Sequence, residues 1–351
     1  MKECAKLADG KAAEMRAAIE RMLGARFGRE VHVAHVERRP FAYQTSSVIE
    51  AVEVELDDGT RLELLLKDVS RAGLQRAARQ SKPAFLHCPR REINVYQQIL
   101  ADGPPGSAIC YGFVVDEDED RFWLLLEHVH ARELYQIGER PLWQAAARWL
   151  AQMHCCWEGR VEELQKRAPL LNYDDEFYRV WLRRAAEFQS RRSKTHPGWR
   201  RLVDGYGHVI ERLVALPKTF IHGEFYASNV LVEGSTHPHP TSPGGRGGGV
   251  RVCPVDWEMA AVAPGLMDVA ALTAGRWSQD ERTALLKAYH ESLVNHGAER
   301  ASLDELQRDL DLCRLHVAIQ WLGWSPDWTA PAEHAHDWLA DAMELAEKAT
   351  P

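Results

Sequence analysis

The spacing of hydrophobic and polar residues changes several times along the chain, and each change marks a different kind of element. From Lys11 to Leu23 the apolar residues recur at helical spacing, which predicts an amphipathic helix closed by Gly24. The runs VHVAHVERR, SSVIEAVEVEL and TRLELLLKDV are instead rich in β-branched residues and leucine and read as strands. Asp57-Asp58-Gly59 supplies a hairpin turn between the second and third runs. A helical segment at about Arg91–Leu100 follows, and the Gly103-Pro104-Pro105-Gly106 turn ends it because no helix continues through those residues. AICYGFVV and RFWLLLEHV then alternate as two more strands around a solvated acidic tip, Asp116–Asp120. The expected N-terminal portion is a five-stranded antiparallel sheet with one inserted helix.

From about Pro141 the period is almost wholly helical, as in PLWQAAARWLAQMH, DDEFYRVWLRRAAEF and GWRRLVDGYGHVIERLVAL, with three or four more helices after Pro264. Only Thr219–Asp256 interrupts it, through two short apolar runs, NVLVE and VRVCPVD. Their separator, at 234–249, is Gly/Pro-rich and predicts a flexible insert. His237 and His239 within it are read as incidental to that composition rather than as a metal site.

Composition narrows the class. A chain of 351 residues with 45% hydrophobic and 27% charged residues is that of a soluble globular protein able to bury a large core. No window approaches a membrane span, and the N-terminus lacks the apolar core of a secretory signal, so the expected location is cytoplasmic. Seven scattered cysteines without a CxxC pair argue against a disulfide framework or zinc site and read as mostly buried thiols. A net charge of −8 with no long basic run disfavours nucleic acid and mildly suits a cationic or neutral small-molecule partner.

The chemistry concentrates in a few positions. Lys67 ends the otherwise apolar third strand, and Glu92 lies near the start of the inserted helix. Both are either surface residues or the ion pair by which kinases place an ammonium on nucleotide phosphates. His222, Glu224 and Asn229 have the H-x-D-x-x-x-x-N spacing of a kinase catalytic loop, with glutamate for aspartate, and Asp256 opens a D-W-E triplet where D-F-G would stand. The turn between the first two strands, RPFAYQTSSV, has no glycine. Its Thr45, Ser46 and Ser47 are either strand-edge hydroxyls or donors to phosphate.

HGEFYASNVLV and VCPVDWEMAAVAPGLMDVAAL together resemble the paired signature segments of the aminoglycoside phosphotransferase-like, or choline kinase-like, small-molecule kinases, over about Val31–Thr273. The resemblance implies an α+β, bilobal, protein kinase-like fold, with a nucleotide-binding lobe at 1–128 and a helical lobe at 129–351. It implies an ATP- and Mg²⁺-dependent phosphotransferase acting on a hydroxyl of an amino sugar, amino alcohol or related metabolite. Lys67 would hold phosphates and Glu92 would orient it, Asn229 and Asp256 would bind Mg²⁺, and Glu224 would accept the hydroxyl proton beside His222. The backbone of Glu127–Val129 would bind adenine, with Ser46 and Ser47 near the phosphates, and Asp268 would support the catalytic loop.

Three matters stay open at this level. Both acids are ionised at neutral pH, but glutamate displaces the base by up to about 1.5 Å, enough to cost about a hundredfold unless the loop compensates. The alternative is a nucleotide-binding pseudokinase with a regulatory role; a hydrolase metal site on His222, Glu224 and Asp256 lacks the H-E-x-x-H spacing. For the acceptor, Asp174 and Asp175 are either helix-start residues or a cation-binding edge, and Trp321, Trp324 and Trp328 either core or the lining of an aromatic pocket.

Overall fold

The structure, a computed structural model, describes residues 2–42, 46–191, 196–234, 250–297, 301–324 and 334–349, with side chains from residue 13 onward. Thr45, His237, His239, Trp328 and nearly all of the 234–249 insert lie outside the described residues. The chain forms two compact units, Met1–Gln80 with Ala108–Val129, and Ser81–Ser107 with His130–Pro351.

In the first unit, helix α1 (Lys2–Phe27) precedes strands β1 (Val33–Pro40), β2 (Val48–Leu56) and β3 (Arg61–Asp68). The short α2 (Arg76–Ser81) follows at its boundary, and β4 (Cys110–Asp116) and β5 (Arg121–Glu127) complete an antiparallel sheet of order β1-β2-β3-β5-β4. The first helix runs past Gly24, where the sequence reading ended it. Gly28, at φ 66°, is the residue that leaves the helix, and Arg29 N–H bonds to the Gly24 carbonyl at 3.3 Å. This is the Schellman closure, which needs a left-handed residue just before the bonding N–H and therefore places the stop at Gly28. The helix packs Ile19 and Leu23 against Val52, Leu64 and Leu125 of the sheet, all buried. Each such side chain contributes on the order of 1.5–3 kcal/mol.

The second unit begins with α3 (Pro89–Gln98) and continues through β6 (Arg132–Glu133), α4 (Arg140–Trp157), α5 (Val161–Arg167), β7 (Leu171–Asn172), α6 (Asp175–Ser190) and α7 (Trp199–Ala215). Then come β8 (Lys218–Ile221), β9 (Val230–Glu233), β10 (Arg251–Pro254), β11 (Ala261–Pro264) and the helices α8 (Leu266–Leu272), α9 (Gln279–Asn295), α10 (Leu303–Gly323) and α11 (Trp338–Ala349). Two small sheets, β10-β9-β6 and β7-β11-β8, lie among the helices. Residues 81–107 precede residue 129 in the chain but group with this unit by contact. The reason is Arg91, whose guanidinium donates to the carbonyls of Leu86, Pro169 and Glu258 at 2.7–2.9 Å.

The core of this unit is aromatic: Trp157, Trp181, Trp257, Tyr206, Phe220 and Phe225 are fully buried. The described cysteines are free thiols, but only Cys253 and Cys313 are buried, and Cys156 is exposed. Cys156 lies near the end of an amphipathic helix, where its exposure departs from the general tendency of free thiols to burial. No helix is long and apolar enough to cross a membrane.

Candidate active site

The loop between β8 and β9 is fixed by hydrogen bonds to its backbone. Asp268, near the start of α8 and without solvent exposure, accepts from the N–H of His222 at 2.7 Å and of Gly223 at 2.9 Å through its two oxygens. A buried carboxylate receiving two N–H groups is satisfied where an unpartnered one would cost several kcal/mol. Behind it, His154 on α4 lies 3.4 Å from Asp268 through Nε2 and 2.8 Å from the Tyr289 hydroxyl through Nδ1. The lone acidic position in GLMDVA thus carries the loop.

His222 is engaged at both ring nitrogens. Its Nε2 lies 2.9 Å from the Val255 carbonyl, and the Glu224 N–H donates to its Nδ1 at 3.3 Å. Since a carbonyl only accepts, Nε2 carries the proton, and the ring is neutral with Nδ1 as acceptor. This geometry makes His222 a positioning residue that joins the loop to the strand leading to Asp256.

Gly223 sits at φ 85°, and a Cβ there would come within 2.2 Å of the Met259 carbonyl oxygen. Both the dihedral and the contact exclude a side chain. Gly223→Ala is expected to lower stability by about 1–3 kcal/mol, the cost of a strained backbone residue, and to slow any reaction run by the loop. A denaturant midpoint indistinguishable from the parent would refute this.

Asn229 closes the loop. Its Nδ2 donates to the Glu224 carbonyl at 3.0 Å, its carbonyl accepts from Val255 N–H at 2.9 Å, and Tyr226 N–H also bonds to the Glu224 carbonyl at 2.7 Å. With the amide nitrogen turned inward, the Asn229 side-chain oxygen is its outward end. Asp256 follows Val255 in left-handed backbone, φ 66° and ψ 68°, a conformation Asp and Asn adopt more readily than most residues. A backbone hydrogen bond therefore ties Asn229 to the residue immediately before Asp256.

The residue after Asp256 is held from α3. Glu92, 2% exposed, accepts the Trp257 N–H through Oε1 at 3.3 Å. Glu258, the last residue of the D-W-E triplet, pairs with Lys82 at 2.6 Å, where the two side chains are only 4% and 14% exposed. Sequence reasoning missed Lys82 and Arg91. Their partners are the carboxylate and the main chain of Glu258, more than 160 positions away, and no spacing signals that.

In the first unit, Lys67 lies between Ile49 of β2 and Leu124 of β5 and is 4% exposed, which excludes the surface reading. Ser47 is buried and bridges Leu74, and the Ser46 carbonyl accepts from Gln75 N–H at 2.9 Å, so these two residues are braced by their own unit. Glu127 folds its carboxylate onto the Ile109 N–H at 3.0 Å, and Val129, the last residue of this unit, is buried.

The acceptor-side candidates divide. Asp174 caps α6 by accepting from Phe177 N–H at 2.9 Å and also receives Asn172 Nδ2 at 3.0 Å; Asp175 is paired with Arg179. Trp324 stacks on Trp181 with centroids 5.9 Å apart. Trp321 reaches the loop, donating through Nε1 to the Tyr226 hydroxyl at 2.8 Å and stacking on Trp338 at 5.0 Å. Burial, with the nearby Glu224 carboxylate adding to it, holds the Tyr226 phenol well above its ordinary pKa and hence neutral. A cavity of about 260 Å³ opens along Tyr226–Ser228.

A sheet unit feeding a helical unit, with the loop and triplet braced in this way, is the bilobal α+β fold of the protein kinase-like phosphotransferases. The sequence profile of the Phosphotransferase enzyme family, APH, matches residues 46–306, and the chain belongs to that family. Among solved structures it is similar to a candidate aminoglycoside phosphotransferase from Ralstonia eutropha, with 16% identity, TM-score 0.55 and coverage of 90% of this chain and 91% of that one. A choline/ethanolamine kinase family protein from Mesorhizobium loti matches at 13% identity and TM-score 0.53 over 89% and 86% of the two chains. An aminoglycoside 2′-phosphotransferase solved with GDP matches at 12% and 0.54 over 95% and 97%. At these identities the likeness establishes the fold. No curated protein sequence matches the chain.

Proposed function

We propose that this phosphotransferase moves the γ-phosphoryl group of ATP, with Mg²⁺, to a hydroxyl of a small molecule. The observation that carries the reading is the backbone bond from Val255 to Asn229, which sets the Asn229 side-chain oxygen and the Asp256 carboxylate on adjoining, hydrogen-bonded strand ends. Hard oxygen donors of this kind, one neutral and one anionic, suit Mg²⁺, which takes only one or two carboxylates from a protein and the rest from phosphate and water. Bound there, the metal would neutralise charge on the phosphates.

The remaining roles belong to the chain's own groups. Glu92 orients the Asp256–Trp257 turn through the Trp257 N–H, and the buried Lys67 ammonium is offered to the phosphates from β3. Glu224 takes the proton of the attacking hydroxyl, on a loop that Asp268 and His222 hold rigid. The backbone at Glu127–Val129 receives adenine, and Ser46 and Ser47 border the phosphates. The likeness to a structure solved with GDP supports nucleotide use while leaving the choice of base to experiment.

The test is ADP release from purified protein with ATP and Mg²⁺, over panels of amino sugars, amino alcohols, neutral sugars and sugar acids, with GTP as a parallel donor. Acceptor-dependent turnover is expected. Tight Mg-ATP binding without turnover on any panel would turn the reading into that of a regulatory pseudokinase, and loss of nucleotide binding as well would remove both.

A further inference from the structure

The cavity beside the catalytic loop has a definite chemical character. It is lined by Tyr226 and Ser228 of the loop, by Trp143 and Trp338, by His334, and by Arg276 just beyond α8. Among the described residues that line it there is no carboxylate, and the only formal charge is the Arg276 guanidinium. Arg276 is exposed and has no carboxylate partner among the described residues. Asp341 is engaged by the lining residue His336 at 2.7 Å.

The polar groups facing the space are mainly donors. Ser228 Oγ lies 3.2 Å from His334 Nε2, which fixes both. Tyr226 accepts from Trp321 and so keeps its own hydrogen to donate. The aromatic walls are rigid: Trp338 stacks on Trp321 at 5.0 Å, and Trp143 is packed edge-on against Trp277 at 4.7 Å while its Nε1 bonds to the Ile137 carbonyl. At about 260 Å³ the cavity is smaller than the roughly 300–1,000 Å³ that drug-sized ligands occupy. It suits a single sugar-sized molecule and not a multi-ring one.

The lining offers an ammonium group no facing carboxylate, only aromatic faces, while an anion finds the Arg276 guanidinium. The two acids that the sequence suggested for that purpose are not among the residues lining this cavity: Asp174 caps a helix and Asp175 pairs with Arg179. We propose that the acceptor bound in this cavity is a small anionic hydroxy compound of the sugar-acid class, its carboxylate held by Arg276 and its carbon face against Trp143 or Trp338. The proposal rests on the phosphotransferase reading, since Tyr226 and Ser228 follow the base Glu224 on the same loop. Guanidinium and carboxylate match as a bidentate pair, which gives the site its discrimination.

The experiment combines steady-state kinetics and calorimetry on the full chain, using gluconate, glucose, glucosamine and choline as probes, each with parent and Arg276→Ala protein. Gluconate is expected to bind and turn over best, and Arg276→Ala to raise its KM or Kd roughly ten- to hundredfold while leaving glucose unchanged. Arg276 is exposed, so the variant will fold. Preferred turnover of glucosamine or choline, or gluconate parameters insensitive to Arg276→Ala, would overturn the assignment while leaving the phosphotransferase intact. Saturable gluconate binding that needs Arg276, in protein that neither binds ATP nor turns over, would uphold the cavity and sink the kinase reading. Absence of gluconate binding and turnover alike would overturn the cavity assignment.

Discussion

Asp256→Asn is expected to lower kcat by about a thousandfold or more while the thermal midpoint stays within roughly 2 °C of the parent. The first figure follows from the loss of a charged ligand: a bound metal supplies several kcal/mol of charge stabilisation, and each 1.4 kcal/mol is tenfold in rate. The second follows from the backbone. Asp256 is left-handed, and asparagine is as much at home there as aspartate, whereas alanine would add about 1–2 kcal/mol of strain and confuse the result. A change under about 1 kcal/mol keeps the midpoint shift to a few degrees in a unit of this size. Rates should be taken with the best acceptor across a Mg²⁺ titration, where the variant should also need more metal. Retention of more than a tenth of kcat would remove Asp256 from the metal site.

The parts of this molecule that were legible in the sequence are those in which cause and effect lie close together in the chain. The strands of the first sheet showed because alternation is a local signal, and hairpins such as Leu56–Thr60 set the neighbours β1-β2-β3 and β4-β5, whereas the pairing of β3 with β5 is a crossover with no local sign. The two signature segments showed because the loop His222–Asn229 and the run Asp256–Asp268 each keep their chemistry within a few residues. Short elements were lost: α2, α5, β6 and β7 span two to seven residues, too few to display a period. The end of α1 was misplaced because Gly24 and Gly28 both look like stops, and only the backbone dihedral separates them.

Pairings across the chain were the least legible. Nothing in REINVYQQIL says that Glu92 will receive the N–H of Trp257, or that Lys82 will meet Glu258. A buried pair such as Lys82–Glu258 leaves no compositional trace, since each residue alone is an ordinary surface type. The same holds for Arg276, whose significance arises only when α8 brings it to a cavity without acids.

The substitution series at Glu224 is expected to rank the parent first, Glu224→Asp about a hundredfold lower in kcat, and Glu224→Gln lower by up to about ten thousandfold. Glutamine removes the base altogether, which in general acid–base catalysis costs about 10²–10⁴. Aspartate keeps the base but withdraws it by about 1.5 Å, and a displacement on the order of 1 Å can cost about a hundredfold. Whether the loop can move to recover that distance is a structural matter. Its N–H groups at His222 and Gly223 are held by Asp268, that of Glu224 by His222, and the Glu224 carbonyl by Asn229 and Tyr226. With Gly223 pressed against the Met259 carbonyl, the backbone has no freedom to follow a shorter side chain. If Glu224 is the base, the expected ranking means that the glutamate is matched to this loop and that the acceptor hydroxyl binds one methylene farther from the main chain than an aspartate would require. Higher kcat for Glu224→Asp than for the parent would show the reverse, that the longer acid impairs a loop still shaped for aspartate. Equal rates for Glu224→Gln and the parent would show that Glu224 is not the base.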